Sequence, residues 1–407
     1  MTASASFRTM SRPAASPMRP RRVSRRAVVQ PLFALDSEML VPTETRPRAK
    51  ATPARIGAYA VLTKLAAGGM GDVLLAASES PPGFRRVVAL KRLREEHAGD
   101  PMVRAMFIDE ARLAARFRHP NLVAALEIGE DVRCPYYAMP WLEGRTLAEI
   151  IDAAAACGVW PDASFFLHVV AEALEGLHYA HELSGDDGRA LGVVHRDVSP
   201  HNVFVTFDGE VRLIDFGVAE FAGPMLAARR NILAGKRGYM SPEHIAGRII
   251  DRRADVFSMG VVAWEALTRR KIGEPREVTR AGRQAFAPPS AIEHSVPARV
   301  DSLVMRALEM DPASRFETAR AMADAIDAYL DGAGARFRPR DIGDVVGAYF
   351  HDERRCLAAL AAPLAVASEP PPAPRESNIP IDLHASRRTR KPPSPLPPAI
   401  SPAELAM

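Results

Sequence analysis

The run Val193-Val194-His195-Arg196-Asp197-Val198-Ser199-Pro200-His201-Asn202 leads into Val203-Phe204-Val205-Thr206-Phe207. Asp208-Gly209 follows, then Glu210-Val211-Arg212-Leu213-Ile214, and the stretch closes on Asp215-Phe216-Gly217. The two β-rich runs around Asp208-Gly209 predict a tight antiparallel hairpin, because an Asp-Gly pair supplies the positive φ angles that such turns need. A tight hairpin sets its outer ends side by side, so Asn202 and Asp215 should lie within reach of one another. Asp197 stands just upstream of Asn202 in the entering loop. Two carboxylates and an amide oxygen then converge. Hard oxygen donors of this kind suit Mg²⁺, which takes one or two carboxylates together with substrate phosphates.

His195-Arg196-Asp197, Asn202 and Asp215-Phe216-Gly217 at this spacing resemble the catalytic and metal-binding loops of the bacterial eukaryotic-type (Hanks-type) serine/threonine protein kinases. The resemblance covers roughly residues 58 to 330. It implies an α+β, two-lobed fold with a small β-rich N-lobe and a larger, mainly helical C-lobe. Asp197 would accept the proton of the substrate hydroxyl, and Asn202 and Asp215 would hold the metal.

The flanking motifs fit the same pattern. Tyr59 to Leu65 reads as a strand, Ala66-Ala67-Gly68-Gly69-Met70-Gly71-Asp72-Val73 as a glycine-rich turn, and Leu74 to Ala77 as the returning strand. Glycines there let backbone N–H groups approach phosphates. Gly68, Gly71 and Val73 match the family pattern, while Ala66 stands where its first glycine belongs. Val87-Val88-Ala89-Leu90-Lys91 ends on the lysine expected to contact the α- and β-phosphates. Glu110, on a helix expected over 101–117, is the candidate to pair with it, ahead of Asp109 on a different face. His119-Pro120-Asn121 matches the turn that commonly follows this helix. Tyr136 to Gly144 resembles the strand end and hinge between lobes, with Met139 as gatekeeper and with the Pro140 carbonyl and the Leu142 N–H meeting the adenine. Proline has a carbonyl but no N–H, so it stands where only an acceptor is needed. The resemblance assigns Leu65, Gly68, Gly69, Gly71, Val73, Ala89, Lys91, Met139, Pro140, Leu142 and Phe204 to ATP. It assigns Asp197, Lys91, Glu110 and Lys236 to catalysis. The implied cofactors are ATP and Mg²⁺, with Mn²⁺ as a substitute.

Farther on, Ser164 to His181 has helical periodicity and should be the central helix of the C-lobe. Ser184-Gly185-Asp186-Asp187-Gly188 reads as an inserted turn. Gly238-Tyr239-Met240-Ser241-Pro242-Glu243 closes the activation segment. Residues 218 to 240 contain no serine or threonine, so a phosphate on such a residue cannot activate this loop. Asp255 opens an apolar helix and would hold the catalytic loop in place. Arg315 of Asp311-Pro312-Ala313-Ser314-Arg315-Phe316 would pair with Glu243.

Two positions depart from the family. Ser199 stands where most members have a lysine that touches the transferring phosphate. Lys236 stands where they have a threonine, in Gly235-Lys236-Arg237-Gly238-Tyr239. The residue types look exchanged, and Lys236 is the candidate to supply the missing charge near Asp197.

Composition sets the outer bounds. The chain has 407 residues, 47% of them hydrophobic, enough for a substantial core. The net charge of +4 is uneven: residues 1–55 hold eleven Lys/Arg against three Asp/Glu. This stretch reads as a disordered basic tail. The kinase domain is expected over 56–330, divided near residue 140, followed by a helical extension over 331–367 and a proline-rich disordered tail over 368–407. Three dispersed cysteines, Cys134, Cys157 and Cys356, form neither a disulfide framework nor a metal pattern and favour a reducing cytoplasm. No stretch approaches a membrane span, since Leu357 to Ala367 is short and contains Pro363.

The expected function is transfer of the ATP γ-phosphoryl group to Ser/Thr hydroxyls of protein substrates in signalling. The alternative is a pseudokinase, an ATP-binding or protein-interaction module, to which Ser199 and Ala66 lend support. A third reading makes the basic and proline-rich tails partner-binding segments. Small-molecule kinases share the Asp…Asn…Asp logic but are disfavoured by Ser241-Pro242-Glu243 and Arg315. Nothing makes a strong case for nucleic acid. The substrate and the activating signal are not written in these residues.

Overall fold

The computed structural model describes residues 55–68, 70–78, 86–216, 237–272, 286–355 and 357. The first strands are β1 (Arg55–Ile56), β2 (Tyr59–Ala67), β3 (Gly71–Ser78) and β4 (Arg86–Leu93), followed by helix α1 (Pro101–Arg116), β5 (Glu127–Asp131) and β6 (Cys134–Pro140). They form one six-stranded antiparallel sheet in the order β1-β2-β3-β4-β6-β5. The C-lobe begins with β7 (Gly144–Thr146), α2 (Leu147–Cys157) and α3 (Ala163–His181). The hairpin β8 (Val203–Thr206) and β9 (Val211–Leu213) comes next, then α4 (Pro242–Ile245), α5 (Arg253–Thr268), α6 (Pro289–Ile292), α7 (Ala298–Ala307), α8 (Ala319–Ala333) and α9 (Pro339–Tyr349). This is the two-lobed α+β arrangement expected from the sequence.

Local chemistry explains the elements that matter most. At the start of α1, Asp100 accepts from the Met102 and Val103 amides, and Pro101 occupies the first turn, where its missing N–H costs nothing. The buried face of α1 is Val103, Met106, Phe107, Glu110 and Ala111, the three-and-four spacing of one helical stripe. Glu110 is the one charged residue on that stripe, so the helix that packs onto the sheet carries a carboxylate with it. Helix α2 opens with a capping box between Thr146 and Glu149 and stops at Gly158 in the left-handed region. In α5 every residue from Ala254 to Thr268 is buried, which is how a helix at the centre of a lobe reads.

The hairpin differs from the expected two-residue turn. Its last strand pair is Val205–Val211, and the Thr206 amide reaches the Glu210 carbonyl at 2.8 Å, so Phe207 to Glu210 form the loop. The cause lies on the other side. β7 pairs with β8, and the Phe207 amide donates to Glu143 O at 2.8 Å, which turns Phe207 away from β9. The glycine-rich turn is also shorter than expected. Ala66 and Val73 are strand partners, and the Gly68 amide closes the turn on Gly71 O at 2.8 Å.

The C-terminal helix is part of the core. Phe337 sits edge-on to Phe165, and Ile342, Val346 and Phe350 are buried in the same apolar cluster as α3 and the hairpin. A Cβ on Gly343 would come within 2.3 Å of Phe207 O, and one on Gly209 within 1.6 Å of Pro339 O. Glycine at both places is what lets α9 lie directly against the hairpin loop. Further helical turns cover 351–355; the rest of the expected 331–367 extension, like both tails, lies outside the described residues apart from Leu357.

Candidate active site

Lys91 is the meeting point. Its ammonium donates to Glu110 Oε1 at 2.5 Å and to Asp215 Oδ1 at 2.8 Å. The lysine comes from β4, Glu110 from α1 and Asp215 from the end of the β9 strand run, so one ion cluster joins the N-lobe sheet, its helix and the C-lobe hairpin. Burial alone would pull the lysine down, but the facing charges of Asp215 and Glu110 win and hold it well above its ordinary range. Asp109, the neighbour the sequence disfavoured, faces outward to Arg112 at 3.2 Å.

Asp197 and Asn202 meet within the loop that enters the hairpin. The Asn202 side-chain amide donates to Asp197 O at 2.7 Å and to Asp197 Oδ2 at 2.8 Å, and the Ile214 amide donates to Asn202 O at 3.0 Å. That backbone bond brings Asn202 beside Asp215, which sits at φ +54°. The His119-Pro120-Asn121 turn fixes the other side of the hairpin. The Leu213 amide donates to Asn121 O at 2.8 Å, and Asn121 Nδ2 donates to Val211 O at 2.9 Å.

The catalytic loop hangs from α5. Asp255 is fully buried and accepts from the His195 amide at 2.7 Å, the Arg196 amide at 2.9 Å and His181 Nε2 at 2.8 Å. Burial pushes this carboxyl up, but the hydrogen bond and charge of His181 and the backbone donors outweigh it and hold it below the usual range. His195 is buried against Phe216 with ring centroids 4.3 Å apart, and burial pulls its imidazole down. At the far side, Arg315 makes a two-pronged bond to Glu243, at 2.7 and 2.8 Å.

The nucleotide candidates line up along the strands. Val73 is the register partner of Lys91, and Ala89 that of Met139. Leu65 precedes the paired Ala66, Phe204 is half-buried on β8 opposite Thr146, and β6 ends at Pro140, two residues before Leu142. Gly71 has a packing reason of its own, since a Cβ there would meet Arg92 O at 2.7 Å. Gly68 opens the turn, while Gly69, Gly217 and Lys236 lie outside the described residues.

Ser199 is 1% exposed and its hydroxyl has no hydrogen-bond partner. Among the described residues no group of three or more His, Cys, Asp or Glu could hold a metal by itself. Asn202 and Asp215 still fit Mg²⁺, because this ion is held by one or two protein oxygens and completes its shell with water and phosphate.

Sequence reasoning missed two hydroxyls. Tyr239 donates to the buried Glu265 at 2.5 Å, and Tyr137 donates to Glu110 at 2.7 Å. Both are tyrosines whose partner lies on another element, so no local pattern marks them.

The family model for the protein kinase domain matches residues 59–325. The chain belongs to the protein kinase family. Similar proteins include tyrosine-protein kinase MasK of Myxococcus xanthus, 35% identical over 73% of this chain and 47% of that protein. Another is the probable serine/threonine-protein kinase SCO3848 of Streptomyces coelicolor, 34% identical over 69% of this chain and 41% of that protein. The chain therefore spans less than half the length of these relatives. The crystal structure of the Mycobacterium tuberculosis PknI kinase domain superposes with a TM-score of 0.53 at 29% identity, covering 70% of this chain and all of that one. No helix among the described residues is long and apolar enough to cross a membrane.

Proposed function

We propose that this chain is a catalytically active protein serine/threonine kinase that transfers the ATP γ-phosphoryl group to protein hydroxyls in a cytoplasmic signalling role. The observation that carries this reading is Lys91 bridging Glu110 and Asp215. A buried cation shared by two carboxylates from different lobes does little for a fold that apolar packing already holds, but it sets a charge where phosphates would lie.

Each residue then has a task. Asp197 accepts the proton of the substrate hydroxyl, and the Asn202 amide fixes its carboxylate in direction. Lys91, steadied by Glu110, places the α- and β-phosphates. Leu65, Val73, Ala89, Met139 and Phe204 wall the adenine, whose edge meets the Pro140 carbonyl and the Leu142 N–H, and Gly68, Gly69 and Gly71 cover the phosphates. Asn202 and Asp215 hold Mg²⁺, which when bound neutralises charge on the phosphates. Lys236 supplies the positive charge that Ser199 does not. Asp255 keeps the loop backbone in register, which matters because this chemistry rests on positioning and charge more than on covalent catalysis. The kinase unit takes in residues 56–330, and α9 braces it from behind. The tails over 1–55 and 368–407 are proposed partner-binding segments.

The pseudokinase reading rests on Ser199, whose buried hydroxyl stands without a partner where the family carries a lysine. Transfer of labelled phosphate from ATP and Mg²⁺ to a generic basic protein separates the two. Phosphoamino-acid analysis of the product then distinguishes serine and threonine from tyrosine, a distinction worth making because MasK is named a tyrosine-protein kinase.

A further inference from the structure

Glu110 has a second donor. The Tyr137 hydroxyl donates to Oε1 at 2.7 Å, the same oxygen that accepts Lys91 Nζ at 2.5 Å. Tyr137 is the β6 register partner of Lys91, its ring lies 5.5 Å from Phe107 on α1, and Lys91 Nζ stands 5.9 Å from its ring centre. Tyr137 and Glu110 are each 4% exposed.

The two donors differ in what they can fall back on. If α1 moves off the sheet and withdraws Glu110, Lys91 keeps Asp215 at 2.8 Å. Among the described residues the Tyr137 hydroxyl donates to the α1 carboxylate alone and is buried, so the same motion leaves it without that partner. A buried donor left unpaired costs its full desolvation. The hydroxyl therefore favours the arrangement in which α1 lies against β4 and β6. This chain has particular need of such a term, since residues 218–240 offer no serine or threonine for a stabilising phosphate.

We propose that the Tyr137 hydroxyl is a positioning group for phosphoryl transfer, a built-in latch that holds α1, and with it Glu110 and Lys91, in the transfer-competent arrangement without a phosphate on the 218–240 segment. The proposal rests on the kinase reading above for its effect on rate, but not for its effect on α1.

The test uses the full chain and Tyr137→Phe, which keeps the ring and its contact with Phe107. The expected result is a kcat/KM for ATP lower by about tenfold, carried mainly by KM, as loss of one buried hydrogen bond implies. Hydrogen exchange should speed up across 101–116 while α3 stays protected. In a Glu110→Ala background Tyr137→Phe should add no further loss, because its partner is already gone. Unchanged kcat/KM and unchanged α1 exchange overturn the proposal. So does a uniform rise in exchange across α1 and α3, which makes the hydroxyl a general core support. If the parent transfers no more phosphate than Asp197→Asn, the kinase reading fails. α1 exchange and binding of ATP with Mg²⁺ then decide the latch alone: faster exchange with weaker binding supports it, and equal values overturn it.

Discussion

The side-chain amide of Asn202 grips Asp197 twice, at its backbone carbonyl and at a carboxylate oxygen, 2.7 and 2.8 Å away. The residue that would bind the metal thus also aims the residue that would take the proton. Asn202→Ala should lower the transfer rate by roughly 10–100-fold and raise the Mg²⁺ concentration needed for half-maximal rate, as loss of an orienting partner around a metal site typically does. Rates measured over a Mg²⁺ titration check both effects. A variant that loses rate at every Mg²⁺ level with an unchanged midpoint would leave Asn202 as a support for Asp197 alone.

The exchange between Ser199 and Lys236 makes a reciprocal prediction. Lys236→Ala should slow transfer by roughly 10²–10³-fold, the usual loss when one charge-stabilising group goes. The double variant Ser199→Lys, Lys236→Thr restores the family's own arrangement and should recover much of the rate. Steady-state kinetics of parent, single and double variants give the answer, and a fully active Lys236→Ala would end the idea.

Acid should unfold this protein through two carboxylates. Glu243 and Asp255 are both held below their ordinary range. Burial opposes the shift in each, and Arg315 and His181 respectively overcome it. A depressed folded-state pKa means the unfolded chain binds more protons, so the stability is present above the ordinary carboxylate values near 4 and is lost as pH falls below them. Melting temperature from pH 6 to 3 should fall steeply below about pH 4. Glu243→Gln, which breaks a buried pair at a cost of about 3–5 kcal/mol, should start lower at neutral pH and decline less steeply. Parallel curves would contradict this.

Two glycines on α9 should respond in opposite directions. Gly343→Ala drives a methyl to 2.3 Å from Phe207 O and should cost about 1–3 kcal/mol through the backbone shift it forces. Gly347 has only Arg354 Nη1 nearby, at 3.4 Å, so Gly347→Ala should gain up to about 1 kcal/mol from helix propensity. Thermal melts of the two variants side by side test whether α9 is seated on the hairpin as described.

The difference between those two glycines also shows where sequence reading stops. Glu110 could be preferred over Asp109 because the apolar stripe of α1 passes through 103, 107 and 110. Asn202 and Asp215 could be brought together because a hairpin joins them. Both inferences use neighbours along the chain. Tyr136 and Tyr137 are adjacent on β6, and alternation sends them to opposite faces: Tyr136 packs on Tyr59 and Tyr137 reaches Glu110. Which face carries α1 is set by the path the chain takes from β4 to β5, and no local pattern states that path. The seating of Gly343 on Phe207 is hidden for the same reason, as is the Glu143 carbonyl that widens the hairpin loop.

The most direct measurement is incorporation of labelled phosphate from ATP and Mg²⁺ into the full chain and a generic basic protein, beside Asp197→Asn. Incorporation by the parent that disappears in Asp197→Asn is the expected result, with labelled serine or threonine in the product. A parent that binds ATP yet labels nothing beyond the Asp197→Asn background would contradict a working kinase.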